Sequence, residues 1–503
     1  MELLTKKYIE NANINKDIKV GTLEDMPVKV MQFGEGNFLR AFVDWMINKI
    51  NSDGLFNGKV VVIQPLEKGM SDMINAQDGL YTLYLRGIEN GEVKVKKEII
   101  SSIKECVNPY SDWNKALEYA VSNDLRFVIS NTTEAGIEYK EEEFTPDSCQ
   151  KTYPAKLTSL LYARYKAFNG DENKGLVIIP CELIDRNGDN LKKCIMNYAE
   201  LWNLGENFKS WVENACPFMN TLVDRIVPGY PKDEIENITA EQGYRDNVVD
   251  TGEIFHFWVI EGDKKYADEI PFHKAGLNVL WTDNMEPYRT RKVRILNGAH
   301  TMTVLGAYLA GLETVGECMN DKDISEFMKK GIFDEIIPTF DLPEEEKISF
   351  AEAVLERFAN PFIKHMLLSI SLNSVSKFKV RVLPSVKGYI ERYSKLPVRT
   401  VFSLAALIRF YKGVEIKDSK LMGDINGKKY DICDKPEVIE FFAEQYKKYG
   451  ETNDVNELIC NILSNEDFWG EDLTKIDGFT AAVVNYYNDI NNIGARNAML
   501  NLI

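Results

Sequence analysis

The sequence predicts an α/β fold in two parts. Strands and helices alternate to about residue 275, and a mainly helical region runs from 276 to 503. Three observations predict it. An apolar run at 27–33 is followed by a glycine-containing turn and then by Phe38, Phe42, Trp45, Met46 and Ile50 at helical spacing. Short apolar runs recur at 59–63, 126–130 and 176–180, the length of buried strands in a parallel sheet. Beyond 276 the period lengthens, and 401–411, 436–449 and 455–463 read as amphipathic helices.

The first element carries the most chemistry. Gly34 permits a tight turn, and Gly36 lets an anion approach the backbone where a helix begins. Leu39 stands where a third glycine would complete G-x-G-x-x-G. Strand, glycine turn and helix in that order are the context of a Rossmann-type dinucleotide-binding domain. Phe33, Gly34, Glu35, Gly36, Asn37 and Phe38 are therefore candidate cofactor contacts. The next strand, 59–63, ends at Gln64 and Pro65, where an NAD domain of the usual type carries an acid for the ribose hydroxyls. Gln64 is a candidate ribose contact, and it does not decide between NAD and NADP.

Residues 80–86 and 93–100 flank a glycine-bounded pentapeptide, which reads as a hairpin. The run 126–130 ends at Asn131, Thr132, Thr133 and Glu134. Open α/β sheets bind ligands at such carboxyl ends, so Asn131 and Thr132 join the cofactor candidates. A helix at 155–168 and a strand at 176–180 follow.

Composition excludes several classes. At 503 residues the chain holds two or three domains, and 45% hydrophobic content is ample for their cores. A net charge of −17 argues against nucleic acid or an anionic membrane as partner. No apolar run is long enough to span a bilayer, and the N-terminus lacks a signal-peptide core. The eight cysteines are scattered, as in a reduced cytoplasmic protein. The four histidines show no ligand spacing, so no metal site is expected.

The segment 291–300, RKVRILNGAH, sets Lys292, Asn297 and His300 on one helical face. An amine, an amide and an imidazole on one face suit proton transfer at a carbonyl or alcohol. They equally serve as a solvated lysine, a cap and a packed histidine. On a regular helix, eight residues rise about 12 Å, too far for short side chains to converge unless Lys292 precedes the regular helix.

Five separated motifs carry a resemblance: QFGEGNFLRAF at 32–42, SNTTEAGI at 130–137, CELIDRNG at 181–188, NTLVDRIVPG at 220–229, and KVRILNGAH at 292–300. In this order they resemble the mannitol dehydrogenase family, the long-chain polyol-specific dehydrogenases, over nearly the full chain. The resemblance implies an NAD(H)-linked, metal-independent oxidoreductase, with a Rossmann-type domain at 1–275 and a helical substrate domain at 276–503. It implies a catalytic set of Lys292, Asn297 and His300. It points to the branch that interconverts a keto-uronate and an aldonate, with another keto-uronate or a plain polyol as the alternatives. A catalytically silent dinucleotide sensor is the alternative of another class. The family also carries an asparagine soon after the cysteine of the third motif, and here Leu183 stands there. A monomer or small homo-oligomer is expected.

A sugar acid needs a cation for its carboxylate. Lys377, Lys379 and Arg381 share one face if 374–381 is extended. The alternative is a solvated basic strand edge. Arg225 and Arg40 are further candidates.

Overall fold

Four of the five strands in the main sheet are the apolar runs read above. In the computed structural model, which describes residues 1–12, 14–133, 135–425 and 427–503, they are β1 (Val28–Phe33), β2 (Lys59–Ile63), β4 (Phe127–Ser130) and β5 (Val177–Pro180). The fifth, β3 (Ile103–Val107), was not expected. It lies at the sheet edge with two half-exposed positions, so its sequence lacks a continuous apolar run. All four pairings are parallel, and the order is β3-β2-β1-β4-β5. This is the Rossmann order, in which the reversal beside β1 opens a crevice at the carboxyl ends.

The chain divides into two compact units, Met1–Met285 and Glu286–Ile503. In the first, both faces of the main sheet are buried by separate apolar clusters. Val30, Phe42, Val60 and Ile129 belong to one, and Met31, Val61, Val128 and Leu161 to the other. The expected hairpin is present but tighter. Tyr81–Glu89 and Glu92–Ile100 pair antiparallel, and Asn90 and Gly91, with φ of 56° and 76°, make the two-residue turn. It belongs to a four-stranded sheet with Ile18–Val20 and Asp250–Glu253 at its edges.

The second unit is mainly helical. Gly298–Leu309, Val398–Phe410 and Phe479–Leu500 pack together at its centre, and a three-stranded sheet of Ile416–Lys417, Lys420–Ile425 and Lys428–Ile432 is added to them. Val401, Phe402, Ala405 and Ile408 are fully buried, which places the wide apolar face of Val398–Phe410 in the core. Among the described residues, no helix is long and apolar enough to cross a membrane.

Candidate active site

Two places concentrate the expected residues, one in each unit. In the first, a cavity of about 450 Å³ is lined by Gly34, Glu35, Gly36, Asn131, Thr132 and Tyr153, among others. It sits at the carboxyl ends of β1 and β4. Gly34 has φ of +115°, and a Cβ there would meet the Asn131 carbonyl oxygen at 2.8 Å. The backbone itself demands glycine at this turn. Gly36 differs: its φ is −67°, and a Cβ would meet nothing within 4 Å. The protein has room for a side chain at Gly36, and a ligand lying on the backbone would need that space. A dinucleotide fits this requirement.

The floor is locked by polar bonds. Glu182 accepts from Thr132 N and Thr132 Oγ1, both at 2.9 Å, and from Ser130 Oγ at 3.1 Å. Asn131 Nδ2 donates to the Cys181 carbonyl at 2.8 Å. Burial raises the Glu182 carboxyl above its usual range, and these donors oppose the rise. Thr133 also lines the cavity with φ of 74°, an uncommon strained conformation for a β-branched residue. Glu134 lies outside the described residues.

Several candidate contacts have other work. Phe33 is fully buried, its ring 4.7 Å from that of Tyr153, so it packs the core beneath the turn. Phe38 stacks on Phe42 at 5.0 Å. Asn37 Oδ1 accepts from Arg40 Nη2 at 2.6 Å. Gln64 is buried, and its amide donates to the carbonyls of Leu66 and Glu67 while its oxygen accepts from Ser71 N. It braces the loop after β2, with both of its amide hydrogens spent there.

Two arginines named as carboxylate candidates are structural. Arg225 is buried, lies over the Trp45 ring, and donates to the backbone carbonyls of Ala41, Ile254 and Phe255. Arg40 is 1% exposed and donates to the carbonyls of Glu35 and Val248. Both are too deep to meet a substrate.

In the second unit, the expected helix is not regular. Glu286–Arg291 is α-helical, Lys292–Asn297 forms a π turn, and Gly298–Leu309 is α-helical again. A π turn bonds residue i to i+5, so it stacks residues five apart. Lys292 and Asn297 are five apart. The wide turn brings Lys292 and Asn297 closer to one face than an α-helix would, and Asn297 to His300 is an ordinary i, i+3 neighbour step. Lys292 and Asn297 are half-buried, and His300 is 7% exposed.

His300 stacks on Phe358 at 4.1 Å and meets His365 edge-on at 5.3 Å. Its buried Nε2 has no hydrogen-bond partner among the described residues. Burial holds its pKa well below the ordinary value, and the charges of His365, Arg357, Arg381 and Lys377 add to the effect. His300 is therefore neutral, within the field of several cations.

Those cations correct the reading of the basic segment. Ser374–Arg381 is a helix, not a strand. Val375 and Phe378, three apart, are its buried residues, while Val380 is 57% exposed. Lys377 and Arg381 share a face one turn apart and act on His300. Lys379 points elsewhere, into a second hollow with Arg294 and Lys387. Lys377 Nζ donates to the Ile370 carbonyl at 2.8 Å. Burial lowers the Arg381 guanidinium. The two helices pack closely: a Cβ at Gly298 would lie 3.2 Å from the Arg381 carbonyl oxygen. Arg357 and His365 were missed in the sequence, because nothing local connects them to Lys292.

Leu183 is 62% exposed and carries no donor. The nearby Asn187 cannot replace it, since its amide is spent on Pro180, Glu182 and Thr221. Among the described residues, no three His, Cys, Asp or Glu side chains converge as a metal ion would need.

Comparison with known proteins fits this geometry. The mannitol dehydrogenase Rossmann domain matches residues 28–274, and the mannitol dehydrogenase C-terminal domain matches 284–491. The chain belongs to the mannitol dehydrogenase family. It is thereby an NAD(H)-dependent oxidoreductase acting on a CH–OH group. An altronate oxidoreductase of Phocaeicola vulgatus is 47% identical over 93% of this chain and 95% of its own length. One from Bacillus subtilis is 45% identical over 94% and 95%. Among solved structures, a substrate-free D-sorbitol dehydrogenase aligns with a TM-score of 0.80 at 20% identity, covering 99% of this chain and 100% of that one. The Pseudomonas fluorescens mannitol 2-dehydrogenase, in complex with NAD and D-mannitol, aligns at 0.70 and 22%, covering 100% and 99%. These two establish the likeness of fold.

Proposed function

We propose that this family member interconverts altronate and the keto-uronate tagaturonate, with NAD(H), in the cytoplasm. The cation set around His300 is the observation that carries the reading. The charges of Arg357, Lys377 and Arg381 all act on the buried His300, and a neutral polyol has no charge for them to meet. A sugar acid has one, and its carboxylate must exchange water for charged donors. The altronate oxidoreductases at 45–47% identity support the same substrate. All eight cysteines are free thiols, which suits a reducing compartment.

The turn with Gly34 and Gly36 would hold the pyrophosphate, and Asn131 and Thr132 would border the cofactor at the end of β4. When bound, the nicotinamide supplies the hydride for reduction and accepts it in oxidation. The residues of the π turn manage the oxygen. Lys292, as ammonium, donates a proton to the former carbonyl oxygen, and as the neutral amine it takes that proton back in oxidation. Asn297 donates to the same oxygen while negative charge builds there, worth about 3 kcal/mol for a well-placed donor. Neutral His300 orients a neighbouring hydroxyl, with its unpartnered Nε2 as the contact atom. Arg381 and Lys377 meet the carboxylate, and Arg357 adds charge to the same field.

The test is a substrate panel followed at the NADH absorbance: altronate, mannonate and mannitol for oxidation, and tagaturonate and fructuronate for reduction. Altronate and tagaturonate should give the highest kcat/KM. Mannitol turned over as efficiently as altronate would refute the sugar-acid reading.

A further inference from the structure

The acid that usually ends the second Rossmann strand, and holds the adenosine ribose, is absent here. Gln64 and Pro65 follow β2, and Gln64 is consumed by its own loop. A carboxylate nevertheless reaches this corner from the other side. Glu35 stands between the two turn glycines and lines the cavity with Pro65 and Leu66. A Cβ placed on Gly69 would lie 2.2 Å from Glu35 Oε1 and 2.4 Å from Gln64 Cδ. Glu35 therefore crosses from the turn to the loop at 64–70, where a strand-end acid would have been.

We propose that Glu35 is the residue that selects NAD(H) over NADP(H), by accepting hydrogen bonds from the adenosine ribose hydroxyls and repelling a 2′-phosphate. The inference rests on the cofactor placement proposed above. A carboxylate offers only acceptors, which suits two hydroxyl donors and opposes an anion. Burial raises the Glu35 carboxyl above its ordinary value, and the backbone N–H groups of Glu35 and Met70, with the Arg40 charge, oppose the rise. The exclusion has a reason to exist. Lys151 lines the same cavity and would attract an extra phosphate, whereas Lys140, also there, is ion-paired to Glu138 at 2.9 Å. The glycine at 69 also has a reason, since any side chain there would strike Glu35.

The experiment is a fluorescence titration of the full-length protein with NADH and with NADPH, read as Kd and so independent of turnover. Glu35→Gln keeps the shape and removes the charge. Glu35→Lys inverts it. The ratio Kd(NADPH)/Kd(NADH) should fall about 10-fold in the first and about 100-fold in the second, the scale of one and two charge changes at a partly solvated site. Circular dichroism should report unchanged folding for both. Wild-type ratios in both folded variants would overturn the role of Glu35. Gly36→Val separates that failure from a failure of placement. Lost NADH binding in Gly36→Val, with wild-type ratios in the Glu35 variants, overturns only the selector role. Wild-type NADH binding in Gly36→Val overturns the placement and the inference together.

Discussion

Arg381→Gln removes one cation from the carboxylate site and leaves Lys377 and Arg357 in place. Arg381 is the informative choice because it shares a helical face with Lys377 and its charge acts on His300. Two independent physical arguments bound the loss. A hydrogen bond to a charged group contributes about 1.5–3 kcal/mol. Two unit charges about 6 Å apart at an effective dielectric near 20 attract by about 3 kcal/mol. A loss of about 2–3 kcal/mol lowers kcat/KM for altronate roughly 30- to 150-fold. The carboxylate is bound in ground state and transition state alike, so the loss should appear mainly in KM. The assay compares initial rates on altronate and on mannitol in wild type and variant. Altronate should lose its advantage while any mannitol rate holds. Equal losses on both substrates, or a loss under about 3-fold on altronate, would show that Arg381 does not read the carboxylate.

Lys292→Ala should lower turnover about 10²- to 10⁴-fold with little change in the Kd for NADH, since the proton carrier and the cofactor cavity use different residues; stopped-flow rates and NADH titration check the two halves. Activity should survive exhaustive dialysis against EDTA, and rescue by zinc of a dialysed, inactive sample would contradict the lysine-based scheme. Asp44 tests a buried charge: it is fully buried, accepts from Gln32 Nε2 at 3.0 Å, and burial pushes it up to about 7 from 3.8. Between those values the native state holds a proton that the unfolded state has released, so this group's stabilisation is present at low pH and is lost as pH rises through about 7. Asp44→Asn lacks that loss, which in the wild type runs at about 1.4 kcal/mol for each step of one in pH. The Tm of the variant relative to wild type should therefore climb as the pH is raised from 3.8 to about 7 and level off above it, and a pH-independent difference would refute the buried-charge account.

Much of the first unit was legible because its signals are local. The run 27–33, its glycine turn and the apolar residues that follow are consecutive, and so are the strands at 59–63, 126–130 and 176–180. The glycine-bounded break at 87–91 made the hairpin legible, while its two-residue turn at Asn90 and Gly91 emerged only from the pairing. Ile103–Val107 escaped because a half-exposed edge strand needs no apolar run. The segment 374–381 misled because K-F-K-V-R satisfies both a two-residue and a helical period. Burial of Val375 and Phe378 decides for the helix, and only the packed unit supplies that burial.

By itself, the sequence determined which residue types stand near one another along the chain: two glycines in a turn, and a lysine, an amide and an imidazole within nine positions. Backbone preference and side-chain period act over a few residues, so such features survive without tertiary context. Tertiary structure alone decided the π turn that stacks Lys292 over Asn297, the retirement of Arg40, Arg225 and Gln64 into structural bonds, and the gathering of Arg357, His365, Lys377 and Arg381 at His300. Hydrogen-bond register, desolvation and electric field depend on which distant segments come into contact, and no local pattern encodes that.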